Sequence, residues 1–202
     1  MKTKRTARIS LVVVMLIFFS VWQTGFLALW TEGMASIVNN TRDYTDATGH
    51  TVDGQYTISI DLANLESNIG KVLYQDGIHN IYVAWVDNTG QMDSGGYRIG
   101  FRSTGPYSLD GASLLSGVHH ETVNENSFKM NMSAKMTAKY RGNTYISSRF
   151  GMSGLNYKDG DDFSFYVFPS EAYEKGDVTL EEAGVVELTV TDLYQNIWSK
   201  RQ

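Results

Sequence analysis

The chain has 202 residues, of which 42% are hydrophobic and 19% charged, a balance typical of a globular protein rather than a disordered or fibrous one. It contains no cysteine, which excludes disulfide bonds, thiol nucleophiles and zinc sites built on cysteine. The formal net charge of −5 disfavours nucleic acid as a partner.

The N-terminus combines a short basic stretch with a long apolar one. Residues 1–8 carry four basic side chains and residues 9–30 carry no charge. A helix of this length extends about 33 Å, enough to cross the hydrocarbon core of a bilayer. The positive-inside rule keeps the basic lead in the cytoplasm. We therefore expect residues 9–30 to be a single-pass signal-anchor in the cell membrane, with the C-terminal domain extracellular.

A cleaved signal peptide is the alternative interpretation of this segment. Gly33 and Ala35 occupy the −3 and −1 places of a small-residue cleavage site, and cleavage near Ala35 would yield a secreted protein. The apolar run is longer than the ~7 to 15 residues of a usual signal core, which favours the anchor. Both interpretations export the rest of the chain.

Residues 31–50 are mostly polar and turn-prone, and we expect them to form a stalk between the membrane and a domain at residues 51–202. Residues 1–35 contain four of the 17 basic and one of the 22 acidic residues, which leaves 13 and 21 for the remainder and a net charge of −8. Cations and basic proteins suit such a surface better than anionic membranes do.

From residue 51 onward, hydrophobic residues recur at alternate positions, the period of a strand with one buried face. The pattern is clear at 56–62, 97–101, 163–167 and 186–190, whereas residues 81–86 are apolar throughout, as in a central strand covered on both sides. Glycine, asparagine and aspartate between these runs indicate turns. The sequence predicts an all-β domain, an antiparallel β-sandwich or barrel of about eight or nine strands.

Residues 128–140 alternate for thirteen positions and predict one long strand with Met130, Met132 and Met136 on its apolar face. A three-residue loop at 141–143 would place Ala138 opposite Ile146 and Lys135 opposite Arg149. We expect the apolar face to lie in the core. Two other interpretations are a pocket for a hydrophobic small molecule and a hairpin inserted in a bilayer.

Motifs for chemistry are weak. Asp159, Asp161 and Asp162 surround a glycine and could bind calcium, although a solvated turn is the commoner meaning of such a stretch. His119 and His120 begin a zincin-like pattern whose second metal-binding histidine is replaced by Asn124. No nucleophile elbow or phosphate-binding loop is present, so we expect no enzyme and no cofactor besides a calcium ion.

The sequence thus predicts a membrane-anchored extracellular binding module that engages a protein or cell-envelope partner, with an immunity-like or adhesion-like role. The candidate partner-binding residues are Tyr107 (in a long loop), His119, His120, Met130, Met132 and Met136. A structural pilin-like or surface-assembly subunit is the first alternative. A carrier of a hydrophobic small molecule in a Met-lined pocket is the second.

Overall fold

The computed structural model describes residues 11, 13–15, 19, 22–92, 95–124 and 127–201. Two short helices, α1 (Phe26–Glu32) and α2 (Met34–Val38), precede fourteen strands in this part of the chain. Every strand pairing is antiparallel, which confirms the all-β prediction. The strands outnumber the eight or nine predicted because the extra ones are short or arise where a longer run bends.

The first sheet is built around its longest strand, β14 (Val185–Lys200). Its other strands are β1 (Tyr44–Thr45), β2 (His50–Asp61), β6 (Tyr107–Ser108), β7 (Gly111–Ser116), β10 (Lys135–Tyr140) and β11 (Asn143–Ile146). One side of β14 pairs with β2, and the other side pairs first with β10 and then with β7. The change of partner occurs at a bulge where Asp192 has φ 57°.

The second sheet packs against the first and has the order β12-β13-β5-β4-β3. Its strands are β3 (Val72–Gln75), β4 (Asn80–Asn88), β5 (Tyr97–Thr104), β12 (Phe150–Met152) and β13 (Gly160–Tyr166). A separate hairpin contains β8 (Val118–Asn124) and β9 (Ser127–Met132), and a 3₁₀ turn (Leu65–Asn68) and helix α3 (Ser170–Glu174) complete the described elements.

Two apolar clusters hold these layers together. The main core lies between the sheets, where Phe101 of one sheet strand stacks on Phe163 of its neighbour with ring centroids 5.3 Å apart. The opposing sheet contributes Leu188, which is fully buried. The second cluster lies under α2 and joins it to β7 and β14. Its buried members are Met34, Ile37, Val38, Tyr44, Ala112, Leu114 and Trp198.

The segment expected to be a stalk is part of the folded domain. Met34, Ile37 and Val38 follow the i, i+3, i+4 spacing of an amphipathic helix and are buried, and β1 continues the first sheet. Thr41 and Asp46 are buried as well. The domain therefore begins near Met34 rather than at residue 51. Such a short apolar stripe is inconspicuous among the polar residues that surround it.

The proposed anchor, residues 9–30, falls partly outside the described residues, and the basic lead at 1–8 lies wholly outside them. The positions described between Leu11 and Gln23 are helical. Among the residues that the structure describes, no helix is both long enough and apolar enough to cross a membrane.

The long strand predicted at 128–140 is divided between two sheets. The backbone N–H groups of Ser133 and Ala134 both donate to the carbonyl oxygen of Gly117, at 2.9 and 3.0 Å, and the chain bends there between β9 and β10. The prediction of a single strand was therefore wrong. Alternation alone does not reveal this bend, because the period continues on both sides of it.

The loop after β10 has two residues rather than the predicted three. Arg141 and Gly142 have φ 50° and 84°, the positive values that a type I′ turn requires and that match the twist of the flanking strands. Ala138 consequently lies opposite Tyr145, and both are buried. Lys135 does not face Arg149 as predicted, because β11 ends at Ile146 and the pairing with β10 stops at Thr137. The Lys135 ammonium group forms a 2.9 Å ion pair with Asp192 instead.

Candidate functional site

The three aspartates predicted to bind calcium do not converge. Asp161 and Asp162 are adjacent on β13, so their side chains project to opposite faces. Asp162 binds Arg102 through both carboxylate oxygens, at 2.8 and 3.1 Å, whereas Asp161 is buried and Asp159 is exposed. Within the described part of the chain, no group of three potential metal ligands is present.

Asp161 belongs instead to a fully buried polar network with His120. Its Oδ2 lies 2.7 Å from His120 Nε2, and the hydroxyl of Ser116 donates to the same carboxylate. Asn196 Oδ1 accepts the backbone N–H of His120 at 2.9 Å. His120 Nδ1 has no hydrogen-bond partner among the described atoms. Because His120 is 0% exposed, it is a structural link between sheets and not a surface that meets a partner.

The neighbouring histidine, His119, projects in the other direction and is half-buried. Its ring stacks on Tyr194 with centroids 3.9 Å apart, and its Nε2 lies 3.4 Å from Asp46 Oδ2. Burial, followed by the nearby charges of Asp46 and Glu121, raises the pKa of Tyr194. These contacts tie β8 to the segment between β1 and β2 and leave little of His119 for a partner.

The three predicted methionines occupy three different environments. Met136 is buried in the main core, Met132 packs against its edge, and Met130 is 36% exposed on β9. They do not line one pocket, because the bend at Ser133 and Ala134 separates β9 from β10. The remaining candidate, Tyr107, is half-buried on β6 and lines a surface cleft of about 360 Å³ formed by residues 106–113.

A group of four polar side chains beside the 106–113 cleft was not predicted from the sequence. The turn between β3 and β4 positions Asp76 and His79, whose Nδ1 lies 2.9 Å from Asp76 Oδ2. His79 Nε2 lies 2.9 Å from the hydroxyl of Ser113 on β7, a residue that lines the 106–113 cleft. Gln195 of β14 donates from Nε2 to that hydroxyl at 2.8 Å. We call these four residues the Ser113 array.

The turn that carries Asp76 keeps this carboxylate ionised. Burial raises the pKa of Asp76, but hydrogen bonds from the His79 ring, the His79 backbone, the Ile78 backbone and Tyr74 outweigh that effect, so the pKa lies below its ordinary value. The backbone N–H groups of Ile78 and His79 reach Oδ1 at 2.9 and 2.6 Å. This is the local aspartate turn that "DGIH" encodes.

The protons of the Ser113 array can be placed from donor and acceptor chemistry. An ionised Asp76 only accepts, so His79 donates from Nδ1 and its Nε2 is the acceptor in the neutral ring. The Gln195 amide nitrogen only donates, so Ser113 Oγ accepts from it and directs its own proton to His79 Nε2. His79 is 5% exposed, Ser113 is half-buried and the Asp76 side chain is 32% exposed. Ser113, His79 and Asp76 are therefore connected in the same sequence as the serine, the base and the orienting carboxylate of a catalytic triad.

Only one part of this array has a local sequence signal, namely the aspartate three residues before a histidine in a turn. Ser113 and Gln195 are far away in the chain and arrive through strand pairing, since Gln195 lies opposite Leu115 and Ser113 opposite Ile197. Comparisons of the chain with protein-family models, with curated proteins and with solved structures found no match.

Proposed function

We propose that residues 9–30 anchor the chain in the cell membrane and that the β domain, on the exported side, binds a protein or cell-envelope component. The observation that carries this proposal is the exposure of apolar side chains along the N-terminal helical segment: 60% for Leu11, 64% for Trp22 and 68% for Trp30. Removing apolar surface from water is favourable by about 25 cal/mol per Å², and the hydrocarbon core of a bilayer would cover these side chains. The basic lead supports a cytoplasmic N-terminus.

The junction between α1 and the domain supports a retained anchor over a cleaved signal. Met34 donates its backbone N–H to the carbonyl oxygen of Lys158 at 2.6 Å and is itself fully buried. Lys158 Nζ in turn donates to the carbonyl oxygen of Trp30 at 2.8 Å and lies 5.5 Å from its ring. Cleavage near Ala35 would cut α2 and remove Met34 from the second cluster.

The partner surface that we propose is an apolar patch formed by β9 and by β12, the edge strand of the second sheet, which contacts β9. Phe128, Met130 and Phe150 are 37%, 36% and 53% exposed there. Met130 also lies beside Gly154, in the loop that continues to Lys158. Neighbouring exposed apolar side chains are typical of interaction sites. The net charge of −8 beyond residue 35 favours a partner with a neutral or basic rim.

Because the chain has no cysteine, single-cysteine variants test the topology directly. A cysteine at Asn143, an exposed residue at the start of β11, should react with a membrane-impermeant maleimide in intact cells, whereas a cysteine at Lys2 should react only after lysis. The protein should also stay in the membrane after an alkaline carbonate wash. Protein found in the medium and beginning near Ser36, or labelling of Asn143→Cys only after lysis, would refute the anchor.

The patch is tested by photo-crosslinking in intact cells. A photoreactive amino acid at Phe150 should capture one partner protein or envelope component. The same residue at Val185, which is 61% exposed at the start of β14, is the matched control and should capture nothing specific. Equal capture at both positions would refute the patch as the binding surface.

A structural assembly subunit is the second candidate function, and strand β2 favours it. Among the described strands β2 pairs only with β14. Lys71 and Asn68 cap its far edge at Ser59 and Asp61, but residues 50–58 leave that edge open to an added strand. Filaments in electron micrographs of the purified full chain would support this candidate, and a strictly monomeric protein at high concentration would remove it.

A further inference from the structure

We propose that Ser113 is the nucleophile of a hydrolytic site, that His79 is its general base and that Asp76 is a positioning residue that orients His79. This inference goes beyond binding and is independent of the membrane anchor. It rests on the two 2.9 Å contacts that join the three side chains in order, Asp76 Oδ2 to His79 Nδ1 and His79 Nε2 to Ser113 Oγ. The second contact lies within the distance over which a proton passes between a nucleophile and its base, and the first holds the base in orientation.

The proposed reaction is the hydrolysis of a carboxylic ester. Ser113 Oγ forms a bond to the acyl carbon while its proton moves to His79 Nε2, and the bond from the acyl carbon to the leaving alkoxide breaks as His79 returns the proton to that oxygen. Water then attacks the acyl carbon and gives one proton to His79. The bond to Ser113 Oγ breaks, Ser113 recovers a proton, and the products are one acid and one alcohol.

The donors around Ser113 indicate an ester rather than an amide. The backbone N–H of Ser113 donates to the carbonyl oxygen of Pro106 at 3.0 Å and is not available to a developing oxyanion. Gln195 Nε2 lies 2.8 Å from Ser113 Oγ and 3.3 Å from His79 Nε2, so it orients the serine hydroxyl rather than a substrate oxygen. Because the Ser113 backbone supplies no donor to the oxyanion, the site suits the more reactive acyl group.

The cleft beside Ser113 further restricts the substrate. Tyr107 supplies an aromatic wall, and Asp110 places an exposed carboxylate on the rim. That carboxylate disfavours an anionic acyl chain. The structure therefore assigns an uncharged carboxylic ester as the substrate class.

A fluorophosphonate probe tests the nucleophile directly, because it forms a stable adduct only with an activated serine. The full chain in detergent micelles is treated with the probe, and the modified residue is located by mass spectrometry. We expect an adduct on Ser113 in the wild type, none at position 113 in the Ser113→Ala variant, and a labelling rate at least about 100-fold lower in His79→Gln. Ser148→Ala is the matched control, since Ser148 is an exposed serine between β11 and β12, and its labelling rate should equal that of the wild type.

Thermal unfolding of each variant shows whether it is native. A Gln195→Met variant adds a second measurement, because it preserves side-chain length while removing the donor that orients the Ser113 hydroxyl, and should reduce the labelling rate at least about tenfold. A native wild-type protein that carries no adduct on Ser113 would overturn the proposal. So would a labelling rate unchanged in a native His79→Gln protein.

Discussion

Replacement of Asp76 by asparagine separates what this side chain contributes to stability from what it does to His79. Asparagine keeps Oδ1, which accepts the backbone N–H groups of Ile78 and His79, so the turn is preserved. It replaces Oδ2, which accepts from His79 Nδ1 at 2.9 Å and from the Tyr74 hydroxyl at 3.1 Å. The substitution therefore removes two hydrogen bonds to a charged acceptor.

Each hydrogen bond to a charged group contributes about 1.5 to 3 kcal/mol. Solvent screening reduces this contribution because the side chain is 32% exposed. We expect the Asp76→Asn variant to lose about 1 to 2 kcal/mol in the free energy of unfolding at pH 7, measured by urea denaturation of the full chain in detergent.

The pH dependence follows from the lowered pKa of Asp76. A carboxyl group whose pKa is lower in the folded than in the unfolded state stabilises the fold above the unfolded pKa of about 3.9. That contribution is lost as the pH falls through the folded pKa. The difference between wild type and variant should thus be constant near neutrality and shrink in acid. A difference of zero at pH 7, or one that persists undiminished in strong acid, would refute the reasoning.

The same variant should change the tautomer of His79. The asparagine NH₂ group can donate to Nδ1, which moves the ring proton to Nε2, where it faces Ser113 and prevents the ring from accepting the serine proton. We expect fluorophosphonate labelling to fall by at least about 100-fold although the variant remains folded. Nitrogen NMR chemical shifts of the imidazole identify the tautomer. A purely structural array would lose stability without this selective loss of reactivity.

Four further substitutions test the fold by thermal or urea unfolding. Asp161→Ala removes the buried acceptor of hydrogen bonds from His120 and Ser116 and should cost about 2 to 5 kcal/mol, because two buried donors lose their partner. A cost below about 1 kcal/mol would contradict the buried network. Met136→Ala should lower the free energy of unfolding by about 2 to 5 kcal/mol, because Met136 is 1% exposed. Met130→Ala, on the exposed hairpin, should lower it by less than about 1 kcal/mol. Similar values for the two would contradict their assignment to core and surface. Gly33→Ala should destabilise the protein by about 2 kcal/mol or more, since Gly33 has φ 64° and a Cβ there would meet the Lys158 backbone oxygen. An unchanged midpoint of the unfolding transition would mean that the close approach of Gly33 to Lys158 is dispensable.

The strands that the sequence predicted correctly are those with one face in the main core. Alternation at 97–101 and 163–167 corresponds to β5 and β13, because burial of every second side chain is the same physical constraint that defines the strand. The pattern at 186–190 marked only the first part of β14. The second part carries buried Asn196 and Trp198, so polar and apolar residues share its inner positions and the period is obscured.

What the sequence did not contain is the pairing between distant strands. The bend at Ser133 and Ala134 depends on a carbonyl group of Gly117, and Arg141 in the turn after β10 forms an ion pair with the distant Glu182, 2.8 Å away. The Ser113 array has the same origin. Local chemistry places Asp76 beside His79, but only the packing of one sheet on the other brings Ser113 within reach of the imidazole.

The loop at 153–159 connects the proposed anchor to the two proposed sites. Leu155 packs in the second cluster under α2, and Lys158 binds Trp30 through its side chain. Tyr157 holds this loop on the second sheet, with its ring 3.3 Å from the Arg102 guanidinium carbon. The apolar patch adjoins the loop, since Met130 lies beside Gly154. Tyr107 of the 106–113 cleft packs against the second cluster. If α1 enters the bilayer, these contacts fix the domain's orientation, and the patch and the Ser113 cleft lie at its membrane-proximal end. A partner or ester substrate that reaches either one is then a molecule at the membrane surface.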